Sequence, residues 1–365
     1  MVETVFSTTI RNFLEPILGY LEDPSVTEIM INGPDEVYIE REGKLEKTDA
    51  QFTDEGALQA AVRNIAQFVG KKVDEEHSRL DARLPDGSRI HAVIPPCARG
   101  GTTVAIRKFS AKPLSLRDLI KFGALSVDSA KFLDVCIYLR KNMIISGGTG
   151  SGKTTVLGSL ASRVPGNQRI IVIEDASEIQ IDKGHVVFFE TRPPNNLGQG
   201  EVTIRDLVIS AMRLRPDRII VGEVRGPEAL DLITAMNTGH NGSMGTTHAN
   251  TPQETLNRLE TLSLMTGIEL PIRALRSQIA SAVNIIVQTS RMNDGSRKIT
   301  HISEVTGFDE HGTIQTQDIF RFMITGRTPE GKILGELRTT GAVPTFMGEI
   351  IANQLPFSEE TFKAA

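Results

Sequence analysis

Tryptophan is absent from this 365-residue chain, tyrosine occurs three times and cysteine twice. Cys97 and Cys136 are too few and too far apart for a disulfide framework or a four-cysteine zinc site, so a reducing cytosol is the expected home. No stretch approaches the roughly eighteen consecutive apolar residues of a membrane span. The first ten residues have neither a basic start nor an apolar core, so no signal peptide is expected, and any membrane connection must come through a partner. Positive charge is also short: 40 Lys and Arg face 45 Asp and Glu, for a net charge of −5. A general nucleic-acid binder needs a cationic stripe interleaved with stacking aromatics, and this composition argues against one. Internal repeats and low-complexity segments are missing as well.

What is present is a chain long enough for two domains. From Thr4 to Leu21 apolar residues recur at intervals of three and four, which predicts an amphipathic helix broken or kinked at Pro16. Val26 to Ile31 and Val37 to Glu40 alternate as strands around an Asn32-Gly33-Pro34-Asp35 turn. A helix is expected over Asp54 to Val69, two strands around Pro85-Asp86-Gly87-Ser88, and a further strand over Thr102 to Lys108. This predicts an α+β domain over residues 1–108 and a polar linker over 109–116. Over 117–365 strands alternate with helices, the pattern of a mostly parallel α/β sheet.

Three apolar strands in that second part end in polar residues. Met143 to Ser146 runs into Gly147-Gly148-Thr149-Gly150-Ser151-Gly152-Lys153-Thr154-Thr155, Ile170 to Ile173 into Glu174-Asp175, and Ile219 to Val221 into Gly222-Glu223. The first is G-x-x-x-x-G-K-[ST] between a strand and a helix, the context in which that spacing binds a nucleoside triphosphate. Backbone N–H groups and the helix dipole make a concave anion site, Lys153 reaches the β- and γ-phosphates, and the Thr154 hydroxyl completes a Mg²⁺ shell. Ligands of open α/β sheets sit beyond the carboxyl ends of the strands, so the three termini are expected to converge on one nucleotide. Glu174, Asp175, Glu178 and Glu223 are the acidic candidates for ordering the metal and the attacking water. Ser243 to Asn250 reads as a strand ending at His248, either a γ-phosphate sensor or a satisfied structural histidine. Arg192, Arg213, Arg215, Arg218 and Arg225 in the second domain, and Arg83, Arg89 and Arg107 in the first, could each be phosphate contacts or solvated charges.

Four runs in order resemble the secretion ATPases of the type II and type IV superfamily, and within it the Tad (tight adherence, Flp-type, CpaF-like) pilus ATPases. They are Gly147 to Thr155 as Walker A, Ile173-Glu174-Asp175-Ala176-Ser177-Glu178-Ile179 as the Asp box, Arg215 to Arg225 as Walker B, and Gly242 to Asn250 as the His box. The resemblance implies a RecA-like P-loop NTPase domain with a C-terminal extension, preceded by a smaller, PAS-like α+β domain. It implies that Glu178 is the catalytic glutamate and that Glu223, with Thr154, orders Mg²⁺, the usual Walker B aspartate being replaced by Gly222. His248 becomes a γ-phosphate sensor, and Arg89 and Arg107 match positions where the family places phosphate-contacting arginines. The implied assembly is a cytoplasmic homo-hexamer that uses ATP and Mg²⁺ and is attached to the inner membrane through pilus platform proteins. The alternatives are a conjugation or type IV secretion export ATPase, a RecA-like nucleic-acid motor, and a nucleotide-gated scaffold without turnover. The four-cysteine insertion usual in the type II branch is missing.

Overall fold

The computed structural model describes residues 11–41, 43–108, 113–181, 183–195 and 198–363. The chain divides into two compact units, Met1–Lys112 and Pro113–Ala365. Of the helix expected over Thr4 to Leu21, the part up to Ile10 lies outside the described residues. In the rest, Pro16 sits in a short 3-10 turn, Glu15–Ile17, followed by α1 (Leu18–Glu22), so the chain breaks where proline removes a donor.

The first unit is a six-stranded antiparallel sheet. Its strands are β1 (Val26–Asn32), β2 (Val37–Arg41), β3 (Lys44–Lys47), β4 (Arg79–Arg83), β5 (Arg89–Val93) and β6 (Thr103–Arg107), in the order β3-β2-β1-β6-β5-β4. Helix α2 (Glu55–Phe68) starts at Asp54, whose carboxylate accepts the Ala57 N–H at 2.7 Å, and buries Leu58, Val62 and Ile65. These pack with Ile29, Ile39, Ile90 and Ile106 in one core. Strand β3 escaped the sequence reading because its four residues, Lys-Leu-Glu-Lys, are all exposed. It is an edge strand, and its charges discourage pairing with another chain.

The second unit opens with α3 (Leu116–Lys121) and α4 (Val127–Tyr138), each begun by a serine whose hydroxyl caps the third helical N–H. Ser115, at the end of the stretch read as linker, is the first of these caps, whereas 109–112 lie outside the described residues. The strands are β7 (Met143–Gly147), β8 (Ile170–Glu174), β9 (Val186–Glu190), β10 (Arg218–Val221), β11 (Met244–Thr247), β12 (Ile285–Arg291), β13 (Arg297–Phe308), β14 (Ile314–Arg327) and β15 (Ile333–Thr339). They form one nine-stranded sheet in the order β15-β14-β13-β12-β7-β11-β10-β8-β9. The run from β12 to β9 is parallel and the β12 to β15 extension is antiparallel.

Helices α5 (Lys153–Ala161), α6 (Ile204–Ala211), α7 (Glu228–Asn237), α8 (Pro252–Leu264) and α9 (Ile272–Ala282) complete the alternation. Successive strand residues fall into different cores: Met143, Ile145, Val172, Ile220 and Val287 on one face, Ile144, Ile171, Ile173, Ile219, Val221 and Ile286 on the other. Both faces are covered, which explains why the strands read as continuous apolar runs. The C-terminal segment, with short helices α10 (Met347–Ala352) and α11 (Glu359–Phe362), brings Phe346, Phe357 and Phe362 back to α4, where Phe132 has their rings and that of Phe320 on β14 within 6.1 Å. The parallel strand order places the carboxyl ends of β7, β11, β10 and β8 side by side.

Candidate functional site

The loop after β7 is shaped by contacts from across the sheet. A Cβ at Gly147 would lie 2.3 Å from Thr289 Oγ1 and 2.5 Å from the Thr289 carbonyl oxygen, so only glycine fits between β7 and β12. The Ser151 and Thr289 hydroxyl oxygens lie 2.8 Å apart, and Thr289 also donates to the Ser146 carbonyl at 3.0 Å. Gly152 has φ +95° and leads directly into α5, which an L-residue would enter under strain. Lys153 is buried, and its ammonium donates to the carbonyls of Gly147 (3.1 Å) and Gly148 (3.0 Å) and to His248 Nδ1 (3.4 Å). Thr154 is half-buried and Thr155 exposed, both in the first turn of the helix.

An ammonium group only donates, so His248 Nδ1 is the acceptor and the proton of the neutral ring sits on Nε2. That Nε2 lies 2.8 Å from Glu223 Oε1, to which it donates. Burial and the Lys153 charge push the His248 pKa below 6.5, with Glu223 opposing, so the ring is neutral at pH 7. The other Glu223 oxygen accepts from Arg225 at 2.6 Å, and Arg225 reaches Asp175 at 3.5 Å. Burial raises the Glu223 pKa, but the hydrogen bond and charge of Arg225, with His248 and Lys153, outweigh it and hold the group ionised. Burial lowers the Lys153 pKa, which Glu223 opposes. Lys153, His248, Glu223, Arg225 and Asp175 thus form one charged chain linking the ends of β7, β11, β10 and β8.

Not every acidic candidate plays an equivalent part. Glu174 is buried, and its Oε1 accepts the backbone N–H groups of Glu178 (2.9 Å) and Ile179 (3.0 Å), so this carboxylate folds the segment that follows β8. Glu178 is exposed on that segment, close enough for its charge to help raise the Arg225 pKa, after the larger contribution of Glu223. Gly222 leaves room for the Glu174 stem, because a Cβ there would lie 2.8 Å from Glu174 Cγ. Gly222→Asp is therefore expected to destabilise the protein by about 2–4 kcal/mol. Differential scanning calorimetry would show a thermal midpoint lowered by about 5–10 °C. An unchanged midpoint would mean that Glu174 has space to move aside.

Among the arginines, Arg218 is structural. It is fully buried at the opposite end of β10, donating to Gln168 Oε1 (2.7 Å) and to the carbonyls of Ile137 (2.7 Å) and Gly242 (3.2 Å), and burial lowers its pKa to about 10. In the first unit, Arg89 and Arg107 are directly opposite each other on β5 and β6, and Arg83 is opposite Arg89 on β4. Cross-strand partners share a face, so the three guanidinium groups form a row. Arg89 is aligned by two bonds to Asp81 (3.2 and 2.9 Å), and Arg107 lies 3.8 Å from Glu28.

Sequence reasoning passed over Thr289, which walls the glycine loop, and Gln288, whose amide donates to the Ala249 carbonyl at 3.0 Å and whose oxygen accepts from Ser146. Their partners are too distant in the chain for any spacing to show. Arg225 was visible only as one arginine among several. Its place between two carboxylates depends on β8 and β10 being neighbours.

A family model described as Type II/IV secretion system protein matches residues 12–328. The chain is 36% identical over 301 residues to a putative conjugal transfer protein of Mycobacterium tuberculosis, covering 81% of this chain and 84% of that one. It is 31% identical over 327 residues to the type IV secretion system protein VirB11 of Brucella suis, covering 82% and 90%. Among solved structures, the pilus retraction motor PilT with bound ADP has a TM-score of 0.57 at 20% identity, covering 95% of this chain and 86% of PilT, a likeness of fold.

Proposed function

Because the chain belongs to the Type II/IV secretion system protein family and is an ATPase of that family, we propose that it is a hexameric, cytoplasmic motor hydrolysing ATP with Mg²⁺ to assemble a Tad-like type IV pilus. The observation that carries the catalytic part of this reading is the charged chain from Lys153 to Asp175. It puts an ammonium group, a neutral imidazole, the ionised Glu223 and the Asp175 side chain beside one phosphate-binding loop. Thr154 and Glu223 supply hard oxygen donors, the kind Mg²⁺ prefers, and they would hold it; when bound, the ion offsets charge on the β- and γ-phosphate oxygens. Lys153 holds the same phosphates from the loop, Glu178 accepts the proton of the attacking water, and His248, through Nε2–H, reads whether the γ-phosphate is present. Gly147 to Thr155 provide the cradle, in which backbone N–H groups replace the hydration of the anion.

We read the second unit as RecA-like and the first as PAS-like, with Arg89 and Arg107 of the first as phosphate-contacting residues. The row formed by Arg89 and Arg107 supports this, since two guanidinium groups on one face suit a phosphate. Arg89→Ala and Arg107→Ala are expected to slow ATP turnover at least about tenfold, because an arginine that meets the developing phosphate charge acts mainly in the transition state. Nucleotide affinity is expected to stay within about threefold. Steady-state phosphate release and calorimetric titration would check this, and equal losses of binding and rate would defeat this role.

Among the described residues no helix is long and apolar enough to cross a membrane; the proposed reading attaches the protein through a platform protein of the inner membrane. A second reading, export of DNA or protein by a conjugation or type IV secretion apparatus, is favoured by the names of the conjugal transfer and VirB11 relatives. Deleting the gene in its native host and scoring surface pili against conjugal transfer separates the two. A direct nucleic-acid motor is disfavoured by the net charge of −5, and stimulation of turnover by single-stranded DNA would restore it.

A further inference from the structure

The phosphate loop has two flanks, and the charged chain accounts for one. In the strand order β12-β7-β11-β10-β8, His248, Glu223 and Asp175 follow β11, β10 and β8, all on the same side of β7. A triphosphate whose γ-phosphate meets these groups has its nucleoside directed to the other side, where β12 and β13 stand. The hairpin joining those strands carries Arg291 and Arg297 directly opposite each other at its tip. Arg297 Nε donates to the Gly150 carbonyl at 2.8 Å, and its Cδ lies 3.5 Å from where a Cβ at Gly152 would be. Arg291 Nη1 lies 3.7 Å from the corresponding point at Gly150. Both arginines are exposed.

The hairpin tip that presents them is well anchored. Asp294 accepts the Ser296 N–H (2.9 Å) and hydroxyl (2.7 Å), and it also accepts the Ile333 N–H of β15 at 2.6 Å. The stem of Arg297 runs along two glycines of the loop, and its Nε–H bond to a loop carbonyl sets the plane of the guanidinium. A planar, delocalised cation held at a fixed angle is a stacking surface for a heteroaromatic ring, and the same edge can donate to ribose oxygens.

We propose that Arg297, assisted by Arg291, is a nucleoside-contacting residue, so that the β12–β13 hairpin forms the base and ribose side of the nucleotide site. This rests on the ATPase reading and extends it to the half of the ligand that the four sequence boxes do not address. It also differs from the bland role open to Arg297, that of a prop for the loop, in a way that can be measured. A prop would affect every ligand of the loop, whereas a nucleoside contact is blind to a ligand that has no nucleoside.

The test uses the full chain with Mg²⁺, titrating ATP, ADP and inorganic tripolyphosphate into wild type, Arg297→Ala, Arg297→Lys and Arg291→Ala, with thermal midpoints recorded alongside. ATP and ADP are expected to weaken by about tenfold in Arg297→Ala, the loss of one desolvated cation–π or stacking contact. Arg291→Ala should lose less, and tripolyphosphate should bind as in wild type. Arg297→Lys should recover little, since an ammonium group has no plane to stack. Parallel loss of tripolyphosphate and ATP affinity would reduce Arg297 to a loop support and overturn the proposal, as would unchanged ATP affinity. A wild-type protein that binds no ATP would instead defeat the ATPase reading itself.

Discussion

Glu178→Gln is expected to lower the turnover number for ATP by about 10²–10⁴-fold, the range over which a positioned general base acts. The substitution keeps shape and hydrogen-bonding length but removes the capacity to take a proton from water. The structure separates Glu178 from its neighbour Glu174, which is four residues away and chemically identical. Glu174 is buried, and one of its oxygens is committed to the N–H groups of Glu178 and Ile179. Glu178 stands exposed where those two bonds have turned the chain, within electrostatic reach of Arg225. Removing its proton-accepting group should therefore leave ATP binding within about threefold, a loss confined to the transition state. Phosphate release at saturating Mg²⁺–ATP is the measurement. A variant retaining more than a tenth of the wild-type rate would take Glu178 out of the chemistry and direct attention to Asp175 or Glu223.

Lys153→Ala is expected to reduce turnover by about 10²–10³-fold, the usual loss when one preorganised donor to developing charge is removed. Here ATP affinity should fall as well, because the ammonium group meets the phosphates in both ground and transition states. The lysine is buried among carbonyl oxygens and the imidazole of His248, so its removal also strips the donor that keeps Nδ1 an acceptor and Nε2 a donor. A double variant with His248→Ala should consequently lose less than the product of the two single effects, as residues acting through one network do. Wild-type turnover in Lys153→Ala would contradict the catalytic reading outright.

Local chemistry made the loop legible without a structure. Glycines at 147, 150 and 152, the lysine at 153 and the hydroxyl at 154 lie within one turn-and-helix segment, and short-range geometry ties them together whatever the rest of the chain does. Apolar runs that stop at Glu174 and at Gly222-Glu223 marked the strand ends for a similar reason: strands buried on both faces read as uninterrupted apolar sequence until the chain leaves the sheet. The β3 edge strand was invisible because it buries nothing. The β15 strand and helices α3 and α4 were missed as well, although Ser115 and Ser126 cap the two helices.

The sequence by itself determined that a glycine-rich loop stands between a strand and a helix, that several polar strand ends accompany it, and which acids, histidine and arginines could serve. Tertiary structure decided among them. It made Glu174 a loop-former and left Glu178 exposed, buried Arg218 at the far end of β10, and set Arg225 between Asp175 and Glu223. It also brought Thr289 and Arg297 against a loop more than a hundred residues earlier in the chain. The physical reason is that a motif is a short-range object, whose geometry follows from bonds and dihedrals. Whether a carboxylate is buried, which cation stands beside it and which flank of the loop it faces all depend on the order of strands in the sheet, and that order is settled by packing between segments far apart in sequence.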